Sequence, residues 1–416
     1  MNYLLCLFEQ GAVWALNLGL NIWLVRAGGG HLYGIYAFWF NVAQVAGSLQ
    51  FGLTVCHLAP LAPGAGTVPG RLPAERALLA SSLALAVSVG VLVAAAVGFN
   101  GGQSASMLSG AALLVPSYLC YQYARALAFS RGFVTTATIT SVTVFVLTVG
   151  GLAVDQAVTP ALDANHVLLI TGGAYVLAGA IATWFLASEL GLSFHHLRLY
   201  RTYASVSRWT LLGVVCFEIM NRMPNFAVRG NLGVAALGRM SATQLPARVP
   251  SLFVIGLQPA LRNDLARSRE RGEWTRFSSH CALASVAALL VNLLWAVPIG
   301  LAWPSVTNLL FRGQFADDLA LGLLWIASQS LGGSSFVAAT AFQVCGEFRR
   351  IGLADVAGAL GTTTGVAILM PLFGIAGAIA AMIIGQACYL LVLLPQWSRL
   401  RDTFPVRARE TVNASV

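Results

Sequence analysis

The chain has 416 residues, of which 57% are hydrophobic and only 9% are charged, and its formal net charge is +9. Soluble domains carry about 25% charged residues, so this composition excludes a soluble globular protein and predicts an integral membrane protein. The chain contains arginine but no lysine, which excludes Schiff-base chemistry with retinal or pyridoxal phosphate.

Apolar runs of about 20 residues, the length of a helix that crosses the hydrocarbon core of a bilayer, fill most of the chain. We predict twelve such helices, at residues 3–25, 33–58, 77–99, 107–129, 133–154, 166–187, 206–228, 233–257, 277–301, 319–342, 351–371 and 374–395. The predicted fold class is therefore an all-α integral membrane protein. No loop is long enough to form a separate domain, so the helices themselves must carry the function.

Arginines accumulate in every second loop between the predicted helices. The loop after the eighth helix is the richest and contains Arg262, Arg267, Arg269, Arg271 and Arg276. The intervening loops contain instead Asp155, Asp163, Asp317 and Asp318. Because cytoplasmic loops retain positive charge during insertion, this pattern predicts that both termini are cytoplasmic. The positive net charge follows from this asymmetry and does not indicate nucleic-acid binding.

The first two predicted helices carry amide side chains at helical spacing. Asn17 and Asn21 are four residues apart and share one helical face, and the second helix adds Asn41 and Gln44. These amides are candidate cavity residues. The alternative is that they join helices to one another by hydrogen bonds, as buried polar residues in membranes commonly do.

Ionisable residues also lie in or near the N-terminal helices. Glu9 lies beside the amide face of the first helix and is a candidate for coupling to a proton or cation gradient. Arg26 and Arg125 lie near helix ends, where a long arginine side chain can extend to the membrane surface instead of serving a binding site.

The seventh predicted helix contains charged residues where lipid-compatible residues are expected. Glu218 and Arg222 are four residues apart on one face, which Asn221 and Asn225 widen, and Pro224 interrupts the backbone hydrogen bonds. Charged groups at this depth cost several kcal/mol unless they meet a partner or water. The pair either contributes to a polar site, with Glu218 as a second candidate for ion coupling, or its two members simply neutralise each other.

The eighth predicted helix adds Arg239 and Arg248. These residues are nine positions apart and face nearly opposite sides of a regular helix, so they reach one site only if Pro246 and Pro250 unwind it. One glutamate cannot neutralise three guanidinium groups. Together with Arg222, these arginines therefore predict an anion site suited to phosphate.

The glycine pattern of the chain repeats. The spacing from Gly34 to Gly52 equals that from Gly238 to Gly256, and each segment leads into an arginine-containing loop. This predicts two bundles of six helices, at residues 1–203 and 204–416, the second with a short cytoplasmic tail.

The cysteines are scattered singly and no histidine pair has the spacing of metal ligands. We expect no metal site and no cofactor.

Several short segments stand at characteristic places relative to the predicted helices. They are LVR at 24–26, GIY at 34–36, FGL at 51–53, GRMSA at 238–242, LLFRGQF at 309–315, QVCGE at 343–347 and PLFGIAGAIA at 371–380. Together they resemble the multidrug, oligosaccharidyl-lipid and polysaccharide (MOP) flippase superfamily, in its Wzx-like polysaccharide-transport branch. The chain departs from that pattern in its first outer turn, where GGGH at 28–31 replaces a polar, acidic or proline-containing stretch.

The resemblance implies two six-helix lobes around a central cavity that opens alternately to each side of the membrane. Cationic cavity residues of the family match Arg26, Arg222 and Arg239, and Arg248 matches less closely. The implied function is a flippase, not an enzyme, which moves a polyprenyl-pyrophosphate-linked oligosaccharide from the cytoplasmic to the outer leaflet of a bacterial inner membrane. Its partners would be the lipid-linked oligosaccharide, membrane lipids, and polysaccharide polymerase and export proteins, and we expect a monomer.

Three alternatives remain open. A drug or cation exporter of the same superfamily would favour acidic and aromatic cavity residues, against which the arginine excess argues. A membrane-embedded polysaccharide polymerase or ligase would need catalytic carboxylates or histidines, and the acidic residues of the outer loops form no evident constellation. A scaffold for polysaccharide assembly is the third.

Overall fold

A computed structural model describes residues 2–58, 71–99, 108–159, 163–190, 200–398 and 400. Within these residues the chain forms α-helices and short 3-10 helices and contains no strand, so the all-α prediction is confirmed. The α-helices are α1 (Asn2–Leu53), α2 (Arg71–Phe99), α3 (Leu108–Ser130), α4 (Val134–Val158), α5 (Ala164–Leu190), α6 (Tyr200–Leu232), α7 (Val234–Gln244), α8 (Val249–Glu270), α9 (Trp274–Phe311), α10 (Leu319–Val344) and α11 (Phe348–Leu393).

Some of these helices are interrupted, and each interruption lies where two of the predicted membrane spans meet or where one predicted span bends. Within α1 the backbone leaves helical geometry at Gly29, and within α11 it does so at Gly374, both at positive φ. Between α7 and α8 lies the 3-10 turn Pro246–Arg248, so the backbone departs from a regular α-helix where the sequence placed its prolines. If each kinked helix is counted as two and α7 with α8 as one, the described residues form twelve helical segments.

Five helices in the described part of the chain are long and apolar enough to cross a membrane by length and composition. They are Leu72–Phe99, Val134–Val158, Ala164–Leu186, Trp274–Phe311 and Phe348–Ser398. Many large apolar side chains are exposed, as expected where the surrounding solvent is lipid. The chain is therefore a multi-pass membrane protein, and the count of twelve spans stays a prediction.

The chain divides into two compact units, Met1–Val214 and Val215–Val416. The division falls inside α6, about three helical turns later than the predicted limit between residues 203 and 204. In the first unit α3 packs against α1, α2, α4 and α5, and in the second α10 packs against α7, α8, α9 and α11. Each unit thus has one helix at the centre of its packing.

The two central helices end in the same turn. After α3 the N–H of Phe133 donates to the carbonyl of Ala128 at 2.9 Å, and after α10 the N–H of Glu347 donates to the carbonyl of Phe342 at 3.0 Å. The glycine of each turn, Gly132 and Gly346, has positive φ, which a residue without a side chain adopts at little cost.

Small residues allow the two arms of α11, before and after the kink, to pack closely. A methyl group at Gly385 would lie 1.9 Å from Thr362 Oγ1 and 2.8 Å from the Gly358 carbonyl oxygen. Helix pairs in membranes commonly use small residues in this way, because van der Waals packing between helices drives their association.

We expect Gly385→Ala to lower stability by about 1–3 kcal/mol, the usual cost of overpacking. The matched control is Gly300→Ala in α9, where an added methyl group meets nothing within 4 Å. Thermal unfolding of the purified variants in detergent measures both. Equal melting temperatures for the two variants would contradict the close packing of the α11 arms.

Candidate functional site

Glu218 and Arg222 form an ion pair on α6. Arg222 Nε donates to Glu218 Oε2 at 3.0 Å, and the side chains are 23% and 7% exposed respectively. On the same segment the Asn221 amide donates to the Phe217 carbonyl oxygen at 2.8 Å, and Asn225 is buried. The predicted pair therefore exists, and its two members neutralise each other at least in part.

Arg239 on α7 pairs with Asp318, which precedes α10. Arg239 Nε donates to Asp318 Oδ2 at 2.6 Å, and Nη2 contacts Oδ1, so the contact is bidentate. Asp318 is buried, whereas half of the Arg239 side chain is exposed. The indole N–H of Trp325 donates to the Met240 carbonyl oxygen at 3.0 Å and joins α7 to α10 beside the pair.

Asp318 was not predicted as the partner of Arg239. The two residues are 79 positions apart, and the sequence indicated only that Asp318 lies in an outer loop. No local spacing could have identified the pair, because the approach of α7 to α10 depends on the tertiary fold. The sequence indicates an acidic residue at 318 in a loop and an arginine at 239 in a helix, but it does not indicate that the two are in contact.

Arg248 lies in the 3-10 turn between α7 and α8 and is partly buried. Its Nη2 donates to Gln244 Oε1 at 2.6 Å, one turn earlier. The indole N–H of Trp295 donates to the Pro246 carbonyl oxygen at 2.9 Å and holds the turn against α9. The described contacts thus connect Arg248 to an amide oxygen, whereas Arg222 and Arg239 each contact a carboxylate.

The predicted amides of the first unit lie on both arms of α1. Asn17 donates to the Val13 carbonyl oxygen at 2.9 Å, and Asn41 donates to the Ala37 carbonyl oxygen at 2.8 Å. Asn21 is buried and Gln44 is partly buried. Asn17 and Asn41 thus each donate one amide N–H to a carbonyl oxygen of their own helix.

The candidate arginine of the first unit is Arg26. Arg26 is exposed and lies just before the kink of α1 at Gly29. A guanidinium at this position fits either a surface anchor or an outer contact for an anion.

Glu9 is fully buried in the first unit and is paired with Arg125. Arg125 Nε and Nη2 donate to the two carboxylate oxygens of Glu9 at 2.6 and 2.9 Å. The Ser141 hydroxyl also donates to Glu9, at 2.5 Å, and hydrogen-bonds with the Tyr121 hydroxyl at 2.9 Å. The interpretation of Arg125 as a side chain that extends to the membrane surface is therefore wrong, because its guanidinium group points to a buried carboxylate.

No group of three or more His, Cys, Asp or Glu side chains in the described part of the chain is placed to hold a metal ion. Carboxylates in both units pair with arginine, as in Glu9 with Arg125 and Glu218 with Arg222.

No family model and no curated protein matches the sequence. Solved structures do match its fold. An inward-facing multidrug resistance MATE family transporter of the MOP superfamily matches with a TM-score of 0.74 and 14% identity over 97% of this chain and 99% of the other. A MATE protein in complex with MaD3S matches with a TM-score of 0.64 and 15% identity over 94% and 93% of the two chains.

A further match is a MOP superfamily transporter from Pyrococcus furiosus, described by a reversed polarity of its binding pocket that suggests a different function. Its TM-score is 0.68 and its identity 15%, over 97% of this chain and 95% of the other. At these identities the likeness shows the fold alone, which is that of MATE transporters of the MOP superfamily.

We expect Arg125→Gln to destabilise the first unit by about 3–5 kcal/mol, because it leaves the Glu9 carboxylate buried without its ion-pair partner. The double variant Glu9→Gln with Arg125→Gln removes both charges and should recover most of that loss. Thermal unfolding in detergent gives both values. A double variant no more stable than the single one would contradict the proposed ion pair.

Proposed function

We propose that this protein is a flippase that moves a polyprenyl-pyrophosphate-linked oligosaccharide from the cytoplasmic to the outer leaflet of a bacterial inner membrane, by alternating access. The observation that carries the proposal is the charge of residues 215–257, which include four arginines and one glutamate. Arginine binds phosphate through two parallel hydrogen bonds and stays protonated in any environment. An anionic cargo group explains why the chain keeps these residues in apolar helices.

The fold supports a transporter, and the excess of arginine in residues 215–257 supports an anionic cargo. Moving a pyrophosphate and several sugars through hydrocarbon unaided costs far more than thermal energy, since both must lose their water. Arg222, Arg239 and Arg248 would bind the pyrophosphate, with Arg26 as a further contact. The amides of Asn17, Asn21, Asn41, Gln44, Asn221 and Asn225 would meet sugar hydroxyls.

An anionic cargo is also compatible with the ion pairs that Arg222 forms with Glu218 and Arg239 forms with Asp318. A phosphate oxygen can compete with the Glu218 or Asp318 carboxylate for the guanidinium group that each now contacts, so binding and release exchange one anion for another. Proton or cation binding at Glu218 would neutralise the carboxylate that competes with phosphate for Arg222, so it would favour the cargo-bound state, and loss of the proton or cation would favour release. Glu9, which contacts Arg125, is the second proposed position for ion coupling. We propose a monomer with cytoplasmic termini that works beside a polysaccharide polymerase and export proteins.

A drug or cation exporter is the second candidate, because the matched structures include multidrug resistance transporters. Cationic drugs are bound by acidic and aromatic residues, whereas the four arginines of residues 215–257 outnumber Glu218 and Asp318, the two carboxylates that pair with them, and so oppose a cation electrostatically. The match described by reversed pocket polarity and a different function indicates that this fold does not determine the charge of the cargo.

In cells depleted of the protein, we expect lipid-linked oligosaccharide to accumulate in the cytoplasmic leaflet. Wild type should restore export, whereas Arg222→Gln should not. The double variant Arg222→Gln with Glu218→Gln separates two roles of the arginine. Glu218→Gln alone is the reference, because Glu218 is also a proposed coupling residue. If Arg222 only neutralises Glu218, the double variant is as active as Glu218→Gln; if Arg222 binds pyrophosphate, as proposed, the double variant is less active than Glu218→Gln.

The control is Arg276→Gln, which removes the same charge from an exposed pair with Glu273. Leaflet distribution is measured by accessibility of the glycan to an enzyme added outside spheroplasts, at matched expression. An unchanged distribution after depletion, with normal surface polysaccharide, would rule out the flippase.

A further inference from the structure

Asp355 differs from the other buried carboxylates in the described part of the chain. Four of these five residues contact an arginine, and they are Glu9, Glu75, Glu218 and Asp318. Asp355 lies on the first arm of α11, is 8% exposed, and forms no hydrogen bond or ion pair with any residue that the structure describes. The described residues therefore do not supply it with the arginine that the other four have.

The side chain of Asp355 belongs to the face of α11 that packs inside the second unit. Gly358 follows it by three residues on the same face, and a methyl group at Gly358 would lie 2.6 Å from the Met220 sulfur and 3.4 Å from Tyr389 Cβ. This face thus packs against α6 and against the second arm of α11. Leu353, two positions before Asp355 and on the opposite face, is 53% exposed, as expected for a residue in contact with lipid.

The ionisable groups around Asp355 provide no compensating positive charge. Those that interact with it electrostatically are the thiol of Cys216 on α6 and the phenol of Tyr389 on the second arm. A thiol and a phenol are either neutral or negative. The charged pair on α6, Glu218 with Arg222, is neutralised internally, and α10, which also packs against α11, contains no ionisable side chain.

A carboxylate without a cation is unstable in such surroundings. Taking an ion out of water costs far more than thermal energy, and a buried acidic group without a partner avoids this cost by taking up a proton. The protonated group is neutral and can donate a hydrogen bond, so it packs among the side chains of α6 and α11. The packed arrangement therefore corresponds to the protonated form of Asp355, and loss of the proton favours an arrangement that admits water.

The position of Asp355 along α11 is close to one end of the helix. The helix begins at Phe348, seven residues earlier, so the two residues are about 10 Å apart along the helix axis. Arg349 and Arg350 follow the start of the helix, and positive charge there favours a cytoplasmic location for this end. A proton on Asp355 thus has a short path to water on the cytoplasmic side.

We propose that Asp355 is a proton-binding site of the second unit. Its carboxylate takes up a proton from water, holds it while α6 and the two arms of α11 are packed together, and returns it to water when they separate. The proton site itself does not depend on the identity of the cargo. Its link to transport rests on the proposed function, because the exchange of this proton would make the transfer of the cargo respond to a pH difference across the membrane.

Infrared spectroscopy of the purified protein in nanodiscs detects the proton directly, because a protonated carboxyl group has a carbonyl stretching band that a carboxylate lacks. At slightly acidic pH, at which exposed carboxyl groups are still ionised, we expect this band in wild type and its loss in Asp355→Asn. The matched control is Asp264→Asn, which should keep the band because Asp264 is exposed on α8. Asp355→Glu should show the band at a shifted frequency, and it replaces Asp355→Asn if that variant does not fold.

Two infrared results would overturn the proton site. One is a wild-type spectrum without the band, including a spectrum in which sodium changes a carboxylate signal of Asp355, since the residue would then bind a cation in place of a proton. The other is a band that persists unchanged in Asp355→Asn, because the proton would then lie on another carboxyl group.

The link to transport is measured separately, with protein in liposomes that contain a fluorescent lipid-linked oligosaccharide. The rates of transfer with and without a pH difference should differ for wild type and for Asp264→Asn, and they should be equal for Asp355→Asn. If wild type transfers no lipid, the proposed function fails, while the infrared result still decides the proton site. If the pH difference affects Asp355→Asn as it affects wild type, or affects neither, the link between Asp355 and transport is wrong.

Discussion

Hydrocarbon offers no hydrogen-bonding partner, and this constraint governs the structure at every level. Backbone groups must be satisfied within each segment, so the described chain is helical throughout. Amides meet the same demand by donating to their own helix, as Asn17 and Asn41 do. Buried charges meet it by pairing, as Glu9 does with Arg125. The breaks inside α1 and α11 fall at glycines, Gly29 and Gly374, whereas the turn between α9 and α10 places Arg312 and Phe315 at positive φ.

Sequence patterns predicted what depends on neighbouring residues. Hydrophobic runs predicted the helices, prolines the break before Arg248, and a spacing of four residues the pair of Glu218 and Arg222. Patterns failed where partners are far apart in the chain. Glu9 and Arg125 are separated by 116 positions, and only the packing of α1 on α3 brings them together. From the sequence alone, Arg125 could not be distinguished from an arginine near a helix end that extends to the membrane surface.

The fold and the identity of the bound molecule depend on different parts of the sequence. The helices match the fold of solved proteins named for multidrug resistance, and that fold does not by itself determine what this chain binds. The charged side chains on this fold are therefore the remaining indication of what the chain binds. At a spacing of 204 positions Asn17 and Asn21 recur as Asn221 and Asn225, whereas Gln44 corresponds to Arg248.

The most direct test of an anion-selective transporter uses the purified protein in liposomes, offered two cargos in turn. One is a fluorescent polyprenyl-pyrophosphate oligosaccharide, whose transfer between leaflets is followed by quenching from outside, and the other is a lipophilic cationic dye. We predict protein-dependent transfer of the lipid-linked oligosaccharide and no transfer of the dye. Transport of the dye without transfer of the lipid would contradict it.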